Sequence, residues 1–153
     1  MALSGAGKPG HNDEAANRLD LQPAAQHTMK MFSPERANAL IPVLGPLVDQ
    51  LRVARREIAI ASLEAELSRR VSHGASDADV GQRTTAARLK EELARLVARI
   101  ESHGCIVKDL DLGLLDFPSV RAGQPIYLCW KLGEPEIVHW HGIDETFADR
   151  KRV

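Results

Sequence analysis

The stretch from Tyr127 to His141, YLCWKLGEPEIVHWH, decides how this chain is read. It gathers both tryptophans, the only tyrosine, one of the two cysteines and two of the six histidines. Two β-prone runs, Ile126–Leu132 and Glu136–His141, flank Gly133-Glu134-Pro135, which is the pattern of a hairpin. A one-residue slip would invert the faces, so the register is testable on chemistry. With Gly133-Glu134-Pro135 as the loop, Leu132 lies opposite Glu136, Trp130 opposite Val138 and Leu128 opposite Trp140. Ile126, Leu128, Trp130, Leu132, Val138 and Trp140 then share a hydrocarbon face. The other face carries Tyr127, Cys129, Lys131, Ile137, His139 and His141, with Cys129 opposite His139 and Tyr127 opposite His141. A loop one residue longer sets both histidines beside Trp130 and Leu128, which is worse burial chemistry.

A thiol, two imidazoles, a phenol and an ammonium thus converge on one side of the sheet. Strand rise puts the imidazoles of His139 and His141 about 7 Å apart. With Cys129, or a carboxylate from Asp144 or Glu145, they make a set suited to a divalent transition metal, Zn²⁺ or Fe²⁺. The plain alternative is an amphipathic sheet whose second face is wet or covered by the tail, and no Cys-x-x-Cys or His-Glu-x-x-His pair argues against it. Tyr127 and Lys131 are candidate polar partners for a small ligand. Asp116, just before Phe117-Pro118, sits where a strand ends and either orients a histidine or caps the turn. Asp109-x-Asp111 lacks the closing glutamate of a calcium loop, and there is neither a phosphate loop nor a nucleophile elbow. No reaction is specified.

Upstream, Phe32-Ser33-Pro34-Glu35 predicts a helix start: a capping serine, a proline at the first position and an early acid. Leu40, Leu44, Leu47, Leu51, Ala54, Ile58, Ala61 and Ala65 form a heptad seam. Pro42 and Pro46 should kink or split its early part. The long helix fades at Val71, with Gly74 as a C-cap, and Ser76-Asp77-Ala78-Asp79 opens a second helix. The seam of that helix is Ala86, Leu89, Leu93, Leu96 and Ile100. Folded back, Ala65 meets Ala86, Ile58 meets Leu93 and Leu51 meets Ile100. Leu40, Ile41 and Leu44 lie beyond this hairpin and need the C-terminal third as partner. That third reads as strands Cys105–Lys108, Leu112–Phe117, Ile126–Leu132 and Glu136–His141, broken at Asp111/Gly113, Pro118–Gln124 and Gly133–Pro135. The expected architecture is α+β: an antiparallel helical hairpin over residues 33–103, a small antiparallel sheet of about four strands over 105–141, and a tail, 142–153, with Ile143 and Phe147 at the spacing of one docking helical turn.

Residues 1–30 read as a disordered extension, with Met29 and Met31 as alternative translation starts just before the first structured signal, and residues 31–153 as one domain. Twenty basic residues are balanced by 21 acidic ones, for a net charge of -1. No nucleic-acid footprint is expected from such a balance. No run is long enough to span a bilayer and the first thirty residues hold no apolar h-region, so a cytoplasmic protein with reduced Cys105 and Cys129 is expected.

Phe32-Ser33-Pro34-Glu35-Arg36-Ala37-Asn38-Ala39-Leu40-Ile41-Pro42 resembles the opening of the bacterial proteins grouped as domain of unknown function 2203. Val107–Asp111, Gly113–Pro118, Tyr127–Glu134 and Trp140-His141 resemble that family more closely still. The resemblance implies no particular activity. It implies that Asp116, Trp130, Lys131, Glu134, Trp140 and His141 belong to the family pattern, which adds Asp116 and Glu134 to Tyr127 and Lys131 as candidate ligand-binding residues. His139 departs from the pattern, leaving His141 with the carboxylates as the metal set; the tail near Thr146 and Asp149 departs too. Two functions are therefore carried forward. One is a small-ligand or metal-binding protein with its site on the polar face of the 126–141 hairpin. The other is an assembly module that homodimerises through off-seam apolar residues Val53, Ile60, Leu63, Leu67 and Val97.

Overall fold

The computed structural model describes residues 30–71 and 77–153. The expected extension through residue 29, the start at Met29 and the caps at Gly74 and Ser76 lie outside the described residues. Ser33 caps α1 (Pro34–Asn38), its side-chain oxygen accepting from the Arg36 N–H at 3.3 Å. The chain turns at Ala39-Leu40 and restarts as α2 (Ile41–Val71), so the segment is split ahead of Pro42 while Pro46 stays inside the helix. Helix α3 (Asp77–Glu101) packs back on α2. Leu51, Ala54 and Ile58 are buried on one, Leu89 and Ile100 on the other. Towards the far end, Gln82 Nε2 donates to Ser68 Oγ at 3.3 Å, within one residue of the offset that sets Ala65 against Ala86. Val97, expected off the seam, packs partly buried against the core.

The sheet has five antiparallel strands in sequence order: β1 (Ile106–Asp109), β2 (Leu114–Arg121), β3 (Gln124–Lys131), β4 (His139–Gly142) and β5 (Lys151–Arg152). The break expected over Pro118–Gln124 is not there. β2 runs straight through Pro118, and only Ala122-Gly123 separate it from β3. Arg121 pairs with Gln124, and φ is 49° at Ala122 and 75° at Gly123, the geometry of a two-residue hairpin turn. Pro118 is tolerated because its carbonyl accepts from the Phe32 N–H at 2.8 Å, on the side away from β3. Its missing N–H would point the same way, so it costs the β2–β3 ladder nothing.

The β3–β4 ladder has the expected register: Leu128 pairs with Trp140, Cys129 with His139 and Tyr127 with His141. The connection is longer than three residues, however, and the pairs Trp130–Val138 and Leu132–Glu136 are not in the ladder. Local bonds replace it there. Glu134 takes the Lys131 N–H on its carboxylate at 2.9 Å, and its carbonyl takes the indole N–H of Trp130 at 2.9 Å. Ile137, expected on the polar face, is consequently buried in the core, its N–H donating to Asn38 Oδ1 at 2.7 Å.

The core lies between the helices and one face of the sheet. Leu115, Phe117, Ile126, Leu128 and Trp130 pack against Phe32, Leu44, Leu47, Val48, Leu51 and Ile100, with Leu40 and Ile41 at its edge. That supplies the partner that the start of α2 required. Removing Phe117 or Trp130 to alanine would cost about 3–5 kcal/mol on this packing. Among the described residues, no helix is long and apolar enough to cross a membrane. With one sheet face committed to the helices, the chemistry is left to the other.

Candidate metal centre

Alternation along the strands brings Asp116, Cys129 and His141 onto the sheet face away from the helices. Asp116 pairs directly with Cys129 across β2 and β3, and His141 lies one strand further on, on β4. The face is not wet. Asp116, Cys129 and His141 are 1%, 1% and 2% exposed. One potential ligand atom from each lies within 4.8 Å of the other two.

The hydrogen-bond bookkeeping of this trio is incomplete. His141 Nδ1 stands 2.8 Å from the Gly142 carbonyl, which can only accept, so Nδ1 carries a proton. In a neutral ring Nε2 is then a bare lone pair. Yet it faces both carboxylate oxygens of Asp116 at 3.2 Å, and Oδ2 has no hydrogen-bond partner. Lone pairs facing lone pairs in a buried site need a cation between them: a proton on Nε2, or a metal ion.

Cys129 completes the set. Burial pushes its thiol up to about 12; the charge of Asp116 adds to this and that of Arg150 opposes it. A buried neutral thiol is a poor free nucleophile, so the trio does not read as a cysteine–histidine catalytic pair. A bound metal, by contrast, deprotonates a thiol outright.

The trio floors a cavity of about 220 Å³, walled by Lys108, Asp109, Leu114, Glu145, Thr146 and Phe147. The tail forms its cover. A short 3-10 turn, Phe147–Asp149, is tied down by Asp149, whose carboxylate accepts the Thr146 N–H and hydroxyl, both at 2.9 Å. Those bonds, the backbone one first, hold the Asp149 carboxyl below its usual range. The Arg150 guanidinium stacks 3.8 Å from the Phe147 ring centroid and pairs with Glu134 at 2.9 Å.

The remaining candidates fall around this centre in different roles. Glu145 lines the cavity, but Lys151 reaches both its oxygens at 2.7 and 2.8 Å and the Gly142 N–H donates to it at 2.6 Å. Its carboxyl is held low, chiefly by Lys151. Tyr127 tilts against the His141 ring, centroids 5.7 Å apart. The Lys131 ammonium sits 5.8 Å from the Phe147 ring centroid, and Glu134 braces the loop and tail rather than the cavity. His139 is cross-strand from Cys129 with its Nδ1 buried and unpartnered, outside the group of three; Asp144 is exposed. Asp116 is the member that sequence reasoning left out of the metal set. The signal was available in Ala122-Gly123, since a two-residue turn there puts Asp116 opposite Cys129.

An α+β fold with a buried thiol, imidazole and carboxylate under its C-terminal tail is thus what the residues define. The chain belongs to the family described as "Uncharacterized conserved protein (DUF2203)", which matches residues 30–153. Neither the curated proteins nor the solved structures give a match.

Proposed function

We propose that the protein binds one divalent transition metal ion, zinc, through Asp116, Cys129 and His141. The observation that carries this is the orphaned Asp116 Oδ2 facing an Nε2 lone pair beside a buried thiol. A mixed sulfur, nitrogen and oxygen set favours Zn²⁺. Fe²⁺ sites of the two-histidine, one-carboxylate kind need a second imidazole, and His139 stands outside the group. Ligands at zinc bond lengths lie about 3.3–3.8 Å apart, so uptake needs only a contraction of about 1 Å. With three protein ligands and a cavity on the open side, the fourth position belongs to water or a ligand.

Elemental analysis of freshly purified protein, with Co²⁺ titration as the optical probe, tests the reading. One metal per chain and a near-ultraviolet thiolate-to-cobalt band are expected, with the band lost in Cys129→Ser. Sub-stoichiometric metal, and no band on titration, would end it.

A second reading, homodimerisation, draws on Val53, Ile60, Leu63 and Leu67, which run along α2 at 45–61% exposure. A second copy laying its own α2 on this stripe would cover it. Monomeric mass by light scattering at micromolar concentration would remove this reading and leave the metal site untouched.

A further inference from the structure

The ladder between β1 and β2 slips next to the cavity. Ile106 pairs with Asp116 and Val107 with Leu115, but it is Asp109 that pairs with Leu114, so Lys108 is an extra residue. Such a bulge re-aims side chains at the edge of a sheet. Here it sets Lys108 and Asp109 together on the cavity wall, above Asp116, Cys129 and His141. Among the described residues no carboxylate lies within ion-pairing distance of the Lys108 ammonium, which sits 5.8 Å from the Tyr127 ring centroid.

The two acids on the same wall are already satisfied. Asp109 Oδ1 accepts the N–H groups of Asp111 and Leu112 at 2.9 and 2.8 Å, and Glu145 is held by Lys151 and the Gly142 N–H. Taking the proposed metal reading as its basis, a dication with the Cys129 thiolate and the Asp116 carboxylate sums to zero. With Glu145 offset by Lys151, the charges of Asp109 and Lys108 balance, so the cavity offers an anion an ammonium without an acid at ion-pairing distance, not a net positive charge. At 220 Å³ the space holds roughly seven waters' worth of ligand.

We infer that this cavity is a subsite for a small monoanionic ligand, a short carboxylate in chemical class. One oxygen takes the open metal position, and the ammonium of Lys108 receives the charge from the far side. The Phe147 ring and Leu114 give the site an apolar wall suited to a short carbon chain.

The test titrates acetate, with inorganic phosphate as a bulkier, more highly charged comparison, into the Co²⁺-loaded full chain. Acetate should shift the visible cobalt bands saturably and bind more tightly than phosphate. Lys108→Ala should weaken acetate about tenfold, the loss of one charge-assisted contact, while the thiolate-to-cobalt band persists; Lys108→Arg should recover most of it. Cobalt bands that acetate leaves unchanged, or equal acetate affinity in Lys108→Ala, overturn the inference while the metal reading stands. Absence of the thiolate-to-cobalt band overturns both.

Discussion

The imidazole Nε2 of His141 stands 3.2 Å from each carboxylate oxygen of Asp116, and both side chains are buried. A partner removed from such a pair leaves the other stranded in a low-dielectric interior. His141→Ala should therefore cost about 3–5 kcal/mol of folding stability, besides abolishing metal binding. Asp116→Asn/His141→Gln exchanges the pair for neutral amides and should be less harmful than the sum of its single variants. Urea unfolding of the four proteins in metal-free buffer gives the cycle; a coupling below about 0.5 kcal/mol would show that the pair is not an interacting unit.

Metal uptake and protons are linked through Cys129. Its thiol, pushed up to about 12 by burial, is protonated at neutral pH, and a coordinating sulfur is a thiolate. Each metal bound should release a proton from Cys129 besides the one it displaces between His141 and Asp116, and affinity should climb at least about tenfold per pH unit across the neutral range. Calorimetry in buffers of different ionisation enthalpy counts the protons. A pH-independent affinity would mean that Cys129 is not a ligand.

Without metal the same thiol gives the fold an alkaline limit, shared with Cys105. Cys105 is also raised from 9.0 to about 12, chiefly by burial, and its thiol faces the Ile100 carbonyl at 3.3 Å. Between these values the folded chain keeps two protons that the unfolded chain has lost. Stability is therefore full below pH 9 and falls as pH rises towards 12, unfolding releasing about two protons in that window. Cys105→Ala should halve the slope of stability against pH while lowering its overall level. An unchanged slope would show that the two thiols do not govern this limit.

How much of this was legible in the residues depends on where local pattern sets the structure. The helical seams were readable because their period is long and the partner face is fixed by turning the chain back. The Tyr127–His141 and Cys129–His139 pairings were readable because only one register keeps imidazoles off the Trp130 face. The closing loop was not, since Glu134 captures the Lys131 N–H and the Trp130 indole by bonds that no periodicity announces. β5 is two residues long and gains its edge position only after the tail has turned at Phe147–Asp149. Asp116 was undervalued for one reason. Pro118 reads as a strand end, and it is one only where its N–H is needed; here that side faces Phe32. With β2 cut short, the carboxylate falls at a turn instead of beside the thiol.

That misread turn supplies the last prediction. Ala122 holds φ of 49° and Gly123 of 75°, both left-handed, in the two-residue turn closed by Arg121 and Gln124. Alanine pays a steric penalty there that asparagine largely avoids, and Asn-Gly is the favoured pair for this turn. Ala122→Asn should raise stability by about 0.5–1 kcal/mol, a gain of about 2 °C in Tm. Metal affinity should stay unchanged, because the register that sets Asp116 against Cys129 is preserved. Gly113→Ala is the opposite case: φ is 66°, and a Cβ would come within 3.0 Å of Leu132 Cβ and Val48 Cγ1. Strain and overpacking together should cost about 2–4 kcal/mol. Thermal melts of both variants decide it, and a destabilised Ala122→Asn would mean that the turn is held by its neighbours rather than by its own backbone preference.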